Sequence, residues 1–280
     1  MNSHTQNTSF ETGPRVSNKP ILYVVKIGGN VIDEESAMNQ LLNDFATIKG
    51  AAILVHGGGK IATRLGEQMG IVSQYVEGRR ITDAATIDLV TMVYAGLVNK
   101  KIVAALQALG SNAIGLTGAD ANLIPATKRP VKQIDYGFVG DLTKETINIQ
   151  QVNRFLEDGL VPVFSPICHD GKGQLLNTNA DTIASCLATA LSTYYQVRLL
   201  YCFEKHGVLA NINDEASVIP LIDKEIYANL KLENKLFDGI LPKIDNAFAA
   251  IDAGVQEVII GHAADLLANI TKVVKGTMIK

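Results

Sequence analysis

The sequence predicts an α/β protein built around a mainly parallel central sheet covered on both faces. Two observations predict it. After Pro20, short β-branched runs alternate with amphipathic stretches of helical period, and the runs end in Gly, Pro or polar residues. With 280 residues, 47% hydrophobic and 19% charged, the chain is long enough to bury a sizeable core in one large or two modest domains.

Strands are expected at Ile21–Ile27, Ala51–Val55, Ala113–Leu116, Leu160–Phe164, Val197–Tyr201 and Glu257–Ile260. Each is a short, largely apolar run, as strands covered on both faces require. Glu35–Lys49 sets Met38, Leu41, Leu42 and Phe45 at helical spacing and stops at Gly50, and Lys60–Met69 stops likewise at Gly70. Thr82 and Asp83 are suited to cap a third helix running through Ile87, Val90, Val93 and Leu97 towards Gly110, with a break expected near Asn99. From Asp120 to Ile149 the helical period is lost, and Tyr136–Leu142, with Gly137 and Gly140, reads as a hairpin suited to a substrate lid. Residues 1–19, rich in Ser, Thr and Asn, read as a disordered leader without the apolar centre of a signal peptide. The polar, Gly-rich stretch His169–Gln174 marks a lobe junction, giving lobes 20–172 and 173–280.

A formal charge of −3 offers no basic surplus for nucleic acid or an anionic membrane. No run approaches the roughly 20 apolar residues that span a bilayer. Cys168, Cys186 and Cys202 form no CxxC pair and lie in apolar stretches, so they read as core thiols in a reducing, cytoplasmic compartment.

Two strands end in glycines, Lys26-Ile27-Gly28-Gly29 and His56-Gly57-Gly58-Gly59. Bare N–H groups before a helix start can hold phosphate or carboxylate, and a tight strand-to-helix turn uses the same residues. No GxxxxGK[ST] loop occurs, the match to a dinucleotide fingerprint is degenerate, and no GxSxG elbow supports a hydrolase. None of these explains Lys26, whose charge in a buried strand costs desolvation that a neighbouring phosphate offsets.

Asn177-Thr178-Asn179-Ala180-Asp181 precedes an apolar helix and carries more amide and carboxylate groups than a cap needs. Pro242 suits the first turn of a later helix, where Lys243 opposes the helix dipole; by itself Lys243 reads as solvated surface. Arg79 and Arg80 precede the long helix, where an arginine can grip a carboxylate through two bonds.

Together, Lys-Ile-Gly-Gly-Asn, Val-His-Gly-Gly-Gly, Gly-Arg-Arg-Ile-Thr, Asn-Thr-Asn-Ala-Asp and Asp-Gly-Ile-Leu-Pro-Lys stand in the order seen in N-acetylglutamate kinases of the amino acid kinase family, and the resemblance covers Pro20 to Lys280. It implies an open αβα sandwich with a mainly parallel central sheet, and ATP-dependent phosphorylation of the side-chain carboxylate of N-acetyl-L-glutamate, in arginine biosynthesis. Lobe 20–172 would bind the amino acid, and lobe 173–280 would bind ATP with its Mg2+, with no metal held by the protein alone. By the same resemblance Lys26 and Lys243 reach the transferred phosphoryl group and Asp181 holds both lysines. Gly58, Gly59, Arg80 and Asn177 bind the amino acid, while Lys26, Gly28, Gly29, Glu204, Lys205, His206, Gly207, Val208, Leu209 and Lys243 face ATP.

The chain departs from the family at Phe203-Glu204-Lys205-His206-Gly207, where Ser/Thr-Asp-Val-x-Gly is usual. Residues 1–20 lack the apolar helical stripe that joins arginine-inhibited members into hexamers, so an arginine-insensitive homodimer is expected. N-succinyl-L-glutamate as substrate, another amino acid kinase (aspartate, glutamate, carbamate), and a non-catalytic binding protein of the fold are the alternatives.

Overall fold

The structure, a computed structural model, describes residues 19–76, 78–233, 236, 240–271 and 273–280, so most of the expected leader lies outside the described residues. Along the chain, β1 (Ile21–Ile27) leads through α1 (Gly29–Asp33) and α2 (Glu35–Ala46) to β2 (Ala51–His56) and α3 (Gly59–Gln68). A small ribbon, β3 (Tyr75–Val76) and β4 (Arg79–Arg80), precedes α4 (Ala84–Val90), a π-helical segment (Thr91–Val98) and α5 (Asn99–Ala108). There follow β5 (Ala113–Leu116), β6 (Thr127–Lys128), β7 (Gly140–Asp141), α6 (Ile149–Glu157), β8 (Val161–Phe164), β9 (Ile167–His169), β10 (Leu175–Asn177), α7 (Ala180–Leu191) and β11 (Gln196–Phe203). The chain closes with β12 (Leu221–Ile222), α8 (Lys224–Leu232), α9 (Leu241–Asp252), β13 (Glu257–His262), α10 (Leu266–Ile270) and β14 (Thr277–Ile279).

Eight strands form one sheet in the order β12-β14-β13-β11-β1-β2-β8-β5. The six from β13 to β5 are parallel, and only the β13–β14 contact is antiparallel. The six expected strands are these six. His169–Gln174, expected as a junction, forms the turn of the antiparallel β9–β10 hairpin.

Alternation along β1 decides which helix layer each residue meets. Leu22 and Val24 join the core under α6, α7 and α9, whereas Val25 and Ile27 join the core under α1 to α5. Lys26, two residues past Val24, therefore points to the α7 side. Burying each such aliphatic side chain contributes about 1.5–3 kcal/mol.

Asp83 accepts the N–H of Thr86 at 2.8 Å and caps α4, as expected. The break near Asn99 does not occur. Helix continues from Ala84 to Ala108, long and apolar enough by composition to cross a membrane, and Ile87, Leu89, Val90, Val93, Val98, Ile102 and Leu106 bury its stripe in the core. Its irregularity is the π segment just before Asn99. The hairpin expected within Tyr136–Leu142 is not formed by that segment alone: residues 140–141 pair with 127–128 across a longer loop, in a two-stranded sheet separate from the eight-stranded one.

Candidate functional site

The parallel register sets Lys26 beside Val55 on one side and Tyr201 on the other, so β1, β2 and β11 end together. In such sheets ligands sit beyond the carboxyl ends of the strands. On the α7 side of that rim, Asn179 caps α7 by accepting the N–H groups of Asp181 at 2.7 Å and Thr182 at 3.1 Å. The cap leaves the Asp181 carboxylate free. Lys26 Nζ lies 2.7 Å from its Oδ1 and Lys243 Nζ, from the first turn of α9, lies 3.2 Å from its Oδ2.

Three stretches far apart in sequence thus meet at one carboxylate. Burial works against the charged form of Asp181, and the ammonium groups of Lys26 and Lys243 outweigh it, so the acid is held below its ordinary range. The trio carries one net positive charge with both lysines still partly exposed, at 14% and 30%. Such a cluster is suited to an anion that develops further charge.

Beside it opens a cleft of about 320 Å³, lined by Gly57 to Gly59, Arg80, Asn177 to Ala180 and Thr182 among others. Gly58 adopts φ 150° to start α3, and a Cβ there would sit 2.9 Å from the Tyr94 ring. Only glycine fits this turn. Arg80 is buried and donates to the Ser73 hydroxyl, to the Gly59 carbonyl at 2.8 Å and to Thr63 Oγ1 at 2.9 Å, with its guanidinium 4.8 Å over the Tyr75 ring. Among the described residues no carboxylate pairs with it, so the buried cation is matched to an anion from outside. Asn177 donates to the buried Thr82 Oγ1 at 3.0 Å.

Behind the glycine turn, His56 is completely buried and its Nδ1 lies 2.7 Å from the Gly57 carbonyl. Its Nε2 meets the Asn99 amide nitrogen at 3.1 Å, and Asn99 also donates to the Val163 carbonyl at 2.9 Å. Asn99 is the donor in the first of these contacts, so the ring is neutral with its proton on Nδ1. Burial lowers its pKa to about 4.

The expected ATP-facing residues divide. The Gly28 N–H is taken by the Cys202 carbonyl at 3.0 Å, so it is no free donor, while Gly29 has open space on its Cα. Val208 and Leu209 turn their side chains into the core, and the Val208 N–H is taken by Thr277 Oγ1 at 2.8 Å. Gly207 is packed so tightly that a Cβ would meet Thr277 and Val218 at 2.7 Å. Glu204 is exposed, and Lys205 pairs with Glu215 at 2.7 Å. Asp238 and Gly239, which precede Lys243 in its motif, lie outside the described residues.

Cleft residues that sequence reasoning passed over are Tyr75, Tyr94 and Arg129, the last paired with Asp141. Only the loss of helical period after Asp120 signalled that Arg129 and Asp141 belong to a special segment.

The amino acid kinase family model matches residues 22–262. A protein of Phocaeicola vulgatus named acetylglutamate kinase is 53% identical over 262 residues, 94% of this chain and 99% of its own length. One of the same name from Bacteroides fragilis is 54% identical over 88% of this chain and 94% of its own. Among solved structures, the N-acetylglutamate synthase of Neisseria gonorrhoeae complexed with coenzyme A and N-acetyl-glutamate superposes with a TM-score of 0.76 at 20% identity, over 92% of this chain and 59% of that one. The carbamate kinase of Giardia lamblia bound to AMP-PNP gives 0.66 at 13% identity, over 93% and 98%, and at these identities the likeness speaks to the fold.

Proposed function

This chain belongs to the amino acid kinase family, and from that membership we propose that it phosphorylates the side-chain carboxylate of N-acetyl-L-glutamate with ATP, giving an acyl phosphate for arginine biosynthesis. The observation that carries the reading is the pair Lys26 and Lys243 on the single carboxylate of Asp181, at the edge of a cleft that also holds Arg80, a buried cation that no carboxylate of the described residues pairs with.

The chemistry asks little of the protein beyond placement. A carboxylate is already nucleophilic at neutral pH, so no general base is needed. Arg80 and Asn177 hold the α-carboxylate, leaving the side-chain carboxylate oxygen to attack the γ-phosphorus. A new O–P bond forms, the bond from the γ-phosphorus to the β–γ bridging oxygen breaks, and ADP leaves. Lys26 and Lys243 neutralise charge on the transferred group, Asp181 fixes both ammonium groups, and the N–H groups at the start of α3, free of intrahelical acceptors, face the same space. Mg2+ supplies charge neutralisation on the nucleotide phosphates. The Asp181 carboxylate is already shared between the two lysines, which fits a metal brought in by ATP.

Residues 20–172 serve mainly the amino acid and 173–280 mainly the nucleotide; Asn177 crosses over to the amino acid and Gly29 to ATP, and Glu204 of the later lobe is exposed to it. The chain works in the cytoplasm as a homodimer, with exposed Met92 and Leu97 of the π segment covered by a second copy. A mass by light scattering equal to one chain would remove the dimer.

An ATP-coupled assay offering N-acetylglutamate, N-succinylglutamate, glutamate and aspartate side by side tests the assignment. Fastest turnover of N-acetylglutamate is expected. A preference for the succinyl compound would change the acyl group, and turnover of none would sink the phosphotransferase reading.

A further inference from the structure

Adjacent strands β11 and β13 pair Phe203 with His262, so the loop after β11 and the turn after β13 leave the sheet side by side. There the rings of His206 and His262 stack with centroids 4.7 Å apart and planes 24° from parallel. Asp265 is buried, and its Oδ2 lies 2.7 Å from His206 Nδ1. Lys275 Nζ lies 3.2 Å from the other oxygen. One ligand atom from each of His206, His262 and Asp265 falls within 4.8 Å of the others.

The hydrogen bonds show which donors remain. His262 Nδ1 accepts the Ala264 N–H at 3.1 Å and caps the short turn Ala263–Asp265, leaving Nε2 uncommitted. His206 Nδ1 and Asp265 Oδ2 face each other at 2.7 Å, so a metal ion can take the place of the proton between them. Two imidazoles and a carboxylate form a zinc-type donor set, softer than the all-oxygen sets of Mg2+ and Ca2+. Zinc to nitrogen distances near 2.0–2.1 Å require the donors to close by about 1 Å or more. His206, on a loop with its side chain 46% exposed, has room to do so.

We propose that His206, His262 and Asp265 form a divalent transition-metal site, suited to zinc, that ties the loop after β11 to the turn after β13. The phosphotransfer reading neither needs nor assigns this ion, and the test reads metal binding without turnover, so the two stand or fall separately. Metal-free full-length protein is titrated with Co2+ and the visible d–d absorption followed, then with Zn2+ in competition. One Co2+ per chain, displaced by one Zn2+ with a rise in the thermal midpoint, is expected.

His262→Asn keeps an oxygen for the Ala264 N–H and removes the imidazole, and it is expected to weaken Co2+ binding on the order of 10- to 100-fold. Asp265→Asn is expected to do the same. Lys275→Met removes the competing ammonium and tightens binding, an opposite effect that no loss of folding imitates. Absence of Co2+ and Zn2+ uptake, or affinity unchanged in all three variants, would overturn the site.

Discussion

The two glycine-rich strand ends look alike in sequence and are built for different tasks. β1 and β2 are parallel neighbours with Ile27 opposite His56, and each runs straight into glycine and a helix. At the end of β1 the glycines carry little steric duty. Gly28 has an ordinary extended φ of −81°, and a Cβ on Gly29 would meet nothing within 4 Å. What matters there is the charge of Lys26. At the end of β2 the polar residue, His56, is sealed in the core as a neutral ring, and the backbone shape carries the function through Gly58 at φ 150° against Tyr94. A glycine pair after a strand therefore signals proximity to a ligand without saying whether charge or shape serves it.

Removing each end's key group should separate rate from stability. Lys26→Ala is expected to lower kcat by about 10²–10³, as loss of a preorganised charge-stabilising group does. Unfolding should barely change, because Lys243 still pairs with Asp181. Gly58→Ala should do the reverse in kind, costing about 3 kcal/mol of stability from left-handed strain and from the Tyr94 ring that must shift. Steady-state kinetics with urea unfolding of both variants checks the pair. Near-normal turnover in Lys26→Ala, or native stability in Gly58→Ala, would erase the contrast.

How much of this was legible in the sequence follows the range of the forces involved. The six parallel strands of the sheet were readable because each is a run of β-branched or apolar residues buried on both faces. β12 and β14 are two and three residues long and owe their places to tertiary pairing, which no local pattern records. The long helix shows the same limit. A regular period puts Leu97 in the core, yet Leu97 is 40% exposed and Val98 is buried, because the π segment shifts the phase by about one residue. At the site, Lys26 announced itself as a charge in an apolar strand. Arg129, Tyr75 and Tyr94 did not, since each reaches the cleft only after distant elements have packed.

The pH dependence of folding sharpens the comparison. Burial lowers His56 from 6.5 to about 4, so the folded protein excludes a proton that the unfolded chain binds between those values. Its contribution is complete above about pH 6.5 and is lost as pH falls towards 4, a loss of about 3 kcal/mol over the interval at 1.36 kcal/mol per unit. Asp181, whose pKa lies below the ordinary 3.8, gives up its contribution only in stronger acid. Between pH 7 and 5 the β2 end therefore weakens while the β1 end does not. Urea unfolding at pH 7.5, 6 and 5 should show a fall of about 2 kcal/mol by pH 5, and His56→Gln, with nothing to titrate, should flatten that part of the curve. A variant with the wild-type slope would locate the titration elsewhere.

The smallest effect is expected from Gly29→Ala, and it bears most directly on what the β1 glycines are for. The residue begins α1 with no steric conflict, so alanine should leave stability unchanged or raise it by about 0.4–1 kcal/mol through the unfolded chain. Gly28 has already spent its N–H on Cys202, which leaves the Gly29 N–H as the donor that a phosphate can approach closely. A methyl group beside that N–H should raise the KM for ATP several-fold and leave the KM for N-acetylglutamate in place. Equal changes in both constants would mean that the Lys26 strand end senses the amino acid as much as the nucleotide, and an unchanged KM for ATP would leave Lys26 as the only contribution of this strand end to the phosphates.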